Sequence, residues 1–218
     1  MDIKKILTKV DHTILTRTAA WDDVKEILDD TIRYDAAAAC IQPYYVEMAK
    51  EYVGDRAKIC TVIGFPNGYN TLEAKVFETK DAIKKGADEV DMVINLCQIK
   101  AGLYDLVQAE IEAVREASSG KILKVIVETS ELTEEEKIKL CKVVSESGAD
   151  YIKTSTGFTE RGATREDIKL FSENIYNGLK IKAAGGIKTL DDAIDFIELG
   201  ADRLGTSRII KIVKEMEE

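Results

Sequence analysis

Short apolar runs alternate with amphipathic segments along the whole chain. The runs lie at residues 36–41, 59–63, 90–94, 122–127, 151–152, 179–183 and 203–205. A short first strand at 10–13 brings the number of predicted strands to eight. Between the runs, apolar residues recur at helical spacing. Leu103, Leu106, Val107, Ile111 and Val114 form one such face, and Ile138, Cys141 and Val144 another. Ile194, Ile197 and Leu199, behind Leu190, form a third. Regular strand–helix alternation predicts a parallel sheet with helices packed on it.

An internal repeat sharpens this. Gly86-Ala87-Asp88, Gly148-Ala149-Asp150 and Gly200-Ala201-Asp202 each sit where a helix ends and a strand opens. A glycine there suits the left-handed position just past a helix C-terminus. The spacing between copies is about two strand–helix units, so they mark strands four, six and eight. A doubly wound open sheet is the alternative, but eight even units favour closure into a (β/α)8 TIM barrel, a single domain over residues 1–218.

The repeat also sets a phase. Three residues beyond each repeat aspartate stand Asp91, Lys153 and Gly205. Equivalent strands would put these three at one height, facing the same way. Asp91 and Lys153 are ionisable residues inside apolar strands, opposite in sense to their neighbours. Pointing outward, they would pass under a helix. Pointing inward near the C-terminal mouth, they would sit where barrel enzymes keep their chemistry.

Composition removes other classes. The 218 residues are 45% hydrophobic and 33% charged, which is globular rather than disordered. The net charge of −9 offers no general field for nucleic acid or an anionic membrane. No apolar stretch approaches a membrane span, and the N-terminal Met1-Asp2-Ile3-Lys4-Lys5 has no signal-peptide pattern. Cys40, Cys60, Cys97 and Cys141 lie far apart without a C-x-x-C pair, so they read as small buried residues in a reducing, cytoplasmic setting. His12 is the single histidine, which excludes multi-histidine metal sites and leaves base catalysis to Lys, Asp or Glu.

Lys153 closes its strand in Tyr151-Ile152-Lys153-Thr154-Ser155-Thr156-Gly157, and Lys182 lies on the next strand in Lys182-Ala183-Ala184-Gly185-Gly186. A strand-end lysine commonly snorkels to solvent. Two inward lysines on strands about 4.8 Å apart would bring their amines close. Like charge and burial both lower an ammonium pKa, and a neutral lysine can form a Schiff base with a carbonyl. The second signal is a pair of glycine turns. Gly185-Gly186 closes strand seven, and Gly205-Thr206-Ser207 closes strand eight and opens the last helix. Barrels build phosphate sites from these two loops and a helix N-terminus, although glycines end many strands as plain turns.

With these residues in place the sequence resembles the deoxyribose-phosphate aldolase family. The matching segments are Asp11-His12-Thr13, Cys40-Ile41-Gln42-Pro43, Gly64-Phe65-Pro66-Asn67-Gly68, the stretches 86–93 and 124–129, and those around Lys153 and Lys182. They run in family order over essentially the whole chain. The resemblance implies that Lys153 forms the Schiff base, that Asp91 and Lys182 serve proton transfer, and that Gly185, Gly186, Gly205 and Ser207 hold phosphate. Thr154 and Asp11 join the implied substrate-binding set, Asp11 near the lysine pair. It implies small phosphosugar and aldehyde substrates, reversible cleavage of 2-deoxyribose 5-phosphate, and no metal or organic cofactor. Neither nucleic acid nor membrane is an expected partner, and a homodimer is the assembly to test for.

The chain departs from the family in places. Arg208 stands where a second serine often follows Ser207, Gln42 and Tyr34-Asp35 replace more usual residues, and the chain stops at Glu218, short of a tail some members carry. Among weaker candidates, Asp11 is as often a structural acceptor as a site residue, and His12 reads as a packed residue. Glu128 ends strand five and either faces the mouth or pairs with a lysine. Glu134-Glu135-Glu136 reads as a solvated first helical turn. The rival readings are a non-catalytic phosphosugar-binding barrel and an isomerase using lysine without covalency.

Overall fold

A computed structural model describes residues 2–217. Eight parallel strands close on themselves in sequence order: β1 (Val10–Thr13), β2 (Ala38–Cys40), β3 (Ile59–Ile63), β4 (Glu89–Val93), β5 (Ile122–Ile126), β6 (Tyr151–Lys153), β7 (Lys180–Ala184) and β8 (Arg203–Thr206). The helices are α1 (Ile3–Leu7), α2 (Trp21–Arg33), α3 (Val46–Val53), α4 (Leu72–Lys84), α5 (Leu96–Lys100), α6 (Tyr104–Ala117), α7 (Glu134–Glu146), α8 (Arg165–Asn174), α9 (Leu190–Glu198) and α10 (Ile209–Glu217). Strand bounds differ from the sequence expectation by one or two residues. α1 and α5 carried no periodic signal because each spans little more than one turn.

Each strand divides its side chains between two environments. One set, including Val10, Ile59, Val90, Met92, Leu123, Val125, Ile152 and Leu204, meets the helices in one large apolar layer. The other set turns into the barrel. There only Ala38, Cys40, Cys60 and Val62 form an apolar cluster, joined by partly buried Leu15 and Phe65. Much of the rest of the interior is ionic.

The helix faces needed adjustment. On α6, Val107, Ile111 and Val114 are buried as expected, but Leu103 is the N-cap and, like Leu106, is exposed. Ile138 on α7 is also exposed, with Cys141 and Val144 buried. On α9 the centre of the buried face is Ala193 and Phe196, which Ile194 and Ile197 flank. The spacing located these three helices but not which flank of the apolar stripe meets the sheet.

The Gly-Ala-Asp repeat has a structural use. Gly86, Gly148 and Gly200 have φ of 104°, 75° and 115°. The aspartate after each turns back to the preceding strand. Asp88 accepts from Ile59 N–H at 3.1 Å, Asp150 from Leu123 N–H at 2.8 Å and Asp202 from Ile181 N–H at 3.4 Å. Their own N–H groups donate to the carbonyls of Ile59, Leu123 and Ile181 at 2.8, 3.0 and 2.9 Å. The repeat thus clips strands four, six and eight to three, five and seven, which holds register at the floor of the barrel.

At the opposite end, two backbone turns touch. Ala163 N–H donates to the carbonyls of Ala184 and Gly185 at 3.0 and 3.2 Å. A Cβ on Gly162 would lie 2.2 Å from the carbonyl carbon of Gly185, so no side chain fits there. Gly162→Ala should cost roughly 1–3 kcal/mol by overpacking, read as a lower urea midpoint. An unchanged midpoint would contradict this close approach.

Candidate active site

Four cationic and three anionic side chains meet inside the barrel. Lys153, at the end of β6, places Nζ 2.7 Å from Asp91 Oδ2. Lys182, on β7, places Nζ 2.7 Å from the same oxygen and also donates to Asp11 Oδ2. The two amines therefore share one carboxylate oxygen. Lys124, on β5, contacts Asp91 Oδ1 at 2.8 Å and Glu89 at 2.6 Å, and lies 3.5 Å from Asp11. Arg203 opens β8 and contacts Asp11 Oδ1 at 2.6 Å and Glu89 at 3.3 Å. Its guanidinium rests over the Tyr151 ring.

Register explains why these residues converge. Asp91 pairs with Lys124 across β4–β5, Lys153 with Lys182 across β6–β7, and Asp11 with Gly205 across β1–β8. Gly205 leaves room at this level: a Cβ there would meet Lys182 Cε at 3.1 Å. Asp91 and Lys153 point inward together, as their phase in the repeat predicts, and Gly205 stands in the place that phase gives it.

Burial and charge act in opposition here. Burial pushes the Asp91 carboxyl up, but Lys124, Lys153 and Lys182 outweigh it and hold Asp91 well below the ordinary carboxylate value. Asp11 behaves alike: burial raises it, and Lys182, Lys124 and Arg203 bring it below its usual value. For Lys182, burial would lower the ammonium, but Asp11 and Asp91 prevail and raise it. Lys124 is also raised, Asp91 being the main force against burial. The sequence argument that two inward lysines depress one another therefore fails for Lys182, because it counted the like charge without the two carboxylates.

Depth orders the cluster. Lys153 lines a cavity of about 520 Å³ at the mouth of the barrel, with Thr13–Thr16, Thr156–Phe158, Ala184–Lys188 and Gly205–Arg208 around it. Asp91, Lys182, Lys124 and Asp11 are fully buried beneath it. Gly185, Gly186, Gly205 and Ser207 all reach the cavity wall. Arg208 does too, joined by Lys188, and neither side chain is in an ion pair among the described residues. Gly185 and Gly186 have φ of 71° and 77°, so these turns need glycine.

Two expected substrate-binding residues lie elsewhere. The Thr154 hydroxyl donates to Ala184 O at 3.2 Å and accepts from Ala184 N–H at 3.1 Å, tying β6 to β7 away from the cavity. Thr156, two residues on, lines it instead. Asp11 is spent on Lys182 and Arg203, so it belongs to the charge cluster and not to the cavity wall. Cys40 and Cys60 are buried as expected, but inside the barrel, where Cys60 lies 3.2 Å from Asp91. Cys97 is exposed. His12 is packed outside the barrel, 3.6 Å from Asp30. Glu128 pairs with no lysine; its carboxylate accepts from Thr156 and Thr159. Glu134 and Glu135 are exposed in the first turn of α7, whose N-cap Thr133 forms a capping box with Glu136.

Lys124, Glu89 and Arg203 were not singled out from the sequence. Lys124 carried a signal, a lysine amid Ile122, Leu123, Val125 and Ile126. Two donor sets could draw in a cation among the described residues, Cys40–Cys60–Asp91 and Asp11–Cys60–Glu89. Both face the ammonium and guanidinium groups just described, which already neutralise these carboxylates, so the donors fit a metal poorly. No helix among the described residues is long and apolar enough to cross a membrane.

Residues 5–210 match the family described as DeoC/LacD family aldolase. A deoxyribose-phosphate aldolase of Streptococcus agalactiae is 58% identical over 217 residues, covering 100% of this chain and 97% of that protein. One from Streptococcus pyogenes is 59% identical over 214 residues, covering 98% and 96%. Among solved structures, QR15, an aldolase, superposes with a TM-score of 0.92 at 39% identity, covering 97% of this chain and 96% of its own. A tetrameric deoxyribose phosphate aldolase from Aeropyrum pernix gives 0.89 at 27% identity, covering 100% and 93%.

The cluster has a pH signature. Asp11 and Asp91 ionise more readily folded than unfolded, so their contribution is full above about pH 4 and is lost as pH falls further. Lys124 and Lys182 hold their protons more tightly when folded, so theirs is full below about pH 10 and is lost as pH rises. Asp11→Asn should be less stable than wild type at pH 7, with a shallower fall as pH drops below about 4. Denaturant midpoints against pH measure this, and parallel curves for the two proteins would contradict it.

Proposed function

The chain belongs to the DeoC/LacD family of aldolases, and within it we propose that Lys153 is the Schiff-base lysine of a 2-deoxyribose 5-phosphate aldolase. One observation carries the assignment. Of the three interior lysines, Lys153 alone lines the cavity, while Lys124 and Lys182 are sealed beneath it. The cluster sets four cations against three carboxylates, so a neutral amine at Lys153 leaves it balanced.

Cleavage begins when the Lys153 amine adds to the C1 aldehyde of the open-chain sugar. Loss of water gives a protonated imine, which acts as the electron sink. The C3 hydroxyl gives up its proton to a water aligned by Asp91. The electrons of the C2–C3 bond form a C1=C2 double bond and the imine π pair moves onto nitrogen, which becomes neutral, leaving an enamine. Glyceraldehyde 3-phosphate departs with C3 as its new aldehyde. The enamine takes a proton at C2, and hydrolysis releases acetaldehyde and restores Lys153. Lys182 and Asp91, joined at 2.7 Å, form the relay that carries these protons.

The phosphate is placed against Gly185, Gly186, Gly205 and Ser207. Backbone N–H groups at such turns and at the start of α10 suit an anion, and Lys188 and Arg208 add positive charge beside them. In a chain of net charge −9 this is a local exception. A phosphorylated substrate is held inside the cell, so this reading carries a cytoplasmic location. A homodimer remains part of the proposal, readable by light scattering.

Purified protein should release acetaldehyde and glyceraldehyde 3-phosphate from 2-deoxyribose 5-phosphate, with turnover unchanged by EDTA. Lys153→Arg should lose at least ~10³-fold in kcat, since a guanidinium supplies no neutral amine. Lys182→Leu should lose about 10²–10⁴-fold through the relay. Full activity in Lys153→Arg would overturn the assignment.

A further inference from the structure

Glu128 is an outlier in the backbone. It follows β5 with φ 55° and ψ 71°, a left-handed conformation that residues with a side chain seldom adopt. Its carboxylate is buried. No lysine or arginine pairs with it among the described residues. Instead it accepts from Thr156 N–H at 3.2 Å, from the Thr156 hydroxyl, and from the Thr159 hydroxyl at 3.1 Å. All three donors belong to the loop between β6 and α8.

That loop forms one wall of the cavity through Thr156, Gly157 and Phe158. Thr156 Oγ1 in turn accepts from Phe158 N–H at 3.1 Å. Further along, Gly162 and Ala163 lie directly against Gly185 and Gly186, where Ala163 N–H donates to Ala184 and Gly185. Asp167 holds the same loop from the other side, accepting from Arg161 at 2.8 Å and from the Thr129 hydroxyl at 2.9 Å. The segment supporting the glycine turns is thus anchored at one end mainly by a buried carboxylate held in an unfavourable conformation, with the Ser130 hydroxyl also donating to Thr159 at 2.9 Å. Such strain persists where the surroundings require it.

We propose that Glu128 is a positioning residue for substrate phosphate: through Thr156 and Thr159 it sets the β6–α8 loop against the Gly185-Gly186 turn. It touches neither Lys153 nor Asp91, so it acts on anion binding and not on imine chemistry. The inference rests on the phosphate reading of the cavity given above.

The test compares 2-deoxyribose 5-phosphate with unphosphorylated 2-deoxyribose in wild type and Glu128→Gln. The amide keeps the size but loses the charge that strengthens the three accepted hydrogen bonds. KM for the phosphorylated sugar should rise about tenfold with kcat within about threefold, while kcat/KM for 2-deoxyribose stays within about twofold. Inhibition by inorganic phosphate should weaken by the same factor as KM rises. Glu128→Gly, which relaxes the left-handed backbone while removing the carboxylate, should give the same pattern and serves if Glu128→Gln folds poorly. Equal losses on both sugars, or no change on either, would overturn the positioning role. A wild-type enzyme showing no preference for the phosphorylated sugar would instead overturn the phosphate reading beneath it.

Discussion

One carboxylate, Asp91, sits between three lysines inside a closed barrel, and the rest of the molecule is arranged around that contact. Taking seven charged groups out of water is costly, and a buried ion cluster of this kind gives little net stability over a well-packed apolar core. The stability of the fold must come from elsewhere, and the apolar layer between strands and helices supplies it. The interior is thereby left to chemistry. Each member of the cluster is nonetheless needed for the others, because removing one partner strands a buried charge.

The cluster is graded from floor to mouth. Arg203, Glu89 and Tyr151 close the bottom, Lys124 and Asp11 sit above them, and Asp91 and Lys182 lie under Lys153. Only Lys153 meets the cavity. With four cations against three carboxylates, the network balances when the one amine that lines the cavity is neutral. The glycine turns beside it bring the anionic end of a substrate to the same opening.

Much of this was legible in the sequence because the fold repeats. Alternating runs gave eight strands, and the Gly-Ala-Asp copies gave their phase, which put Asp91 and Lys153 on the inner face. Lys182 and the glycine turns followed from strand ends. What stayed hidden depends on contacts across the barrel. Arg203 and Glu89 stand at strand starts, where charged residues commonly meet solvent, and only closure of the barrel brings them together. Thr154 and Thr156 are alike in one short motif. Their difference, a strand cross-link against a cavity wall, depends on where β6 ends. The mutual effect of the lysines was misjudged for Lys182 because the like charge was counted without Asp11 and Asp91, which closure of the sheet brings onto its amine.

The central claim is that the cluster leaves Lys153, and neither of its two deeper neighbours, as the nucleophile. Reducing the protein with borohydride in the presence of acetaldehyde and mapping the modified peptide by mass spectrometry tests it directly. The account predicts a single ethyl group, a gain of about 28 Da by the balance of imine formation and reduction, on Lys153. An adduct on Lys182 or Lys124, or none on any of the three, would contradict it.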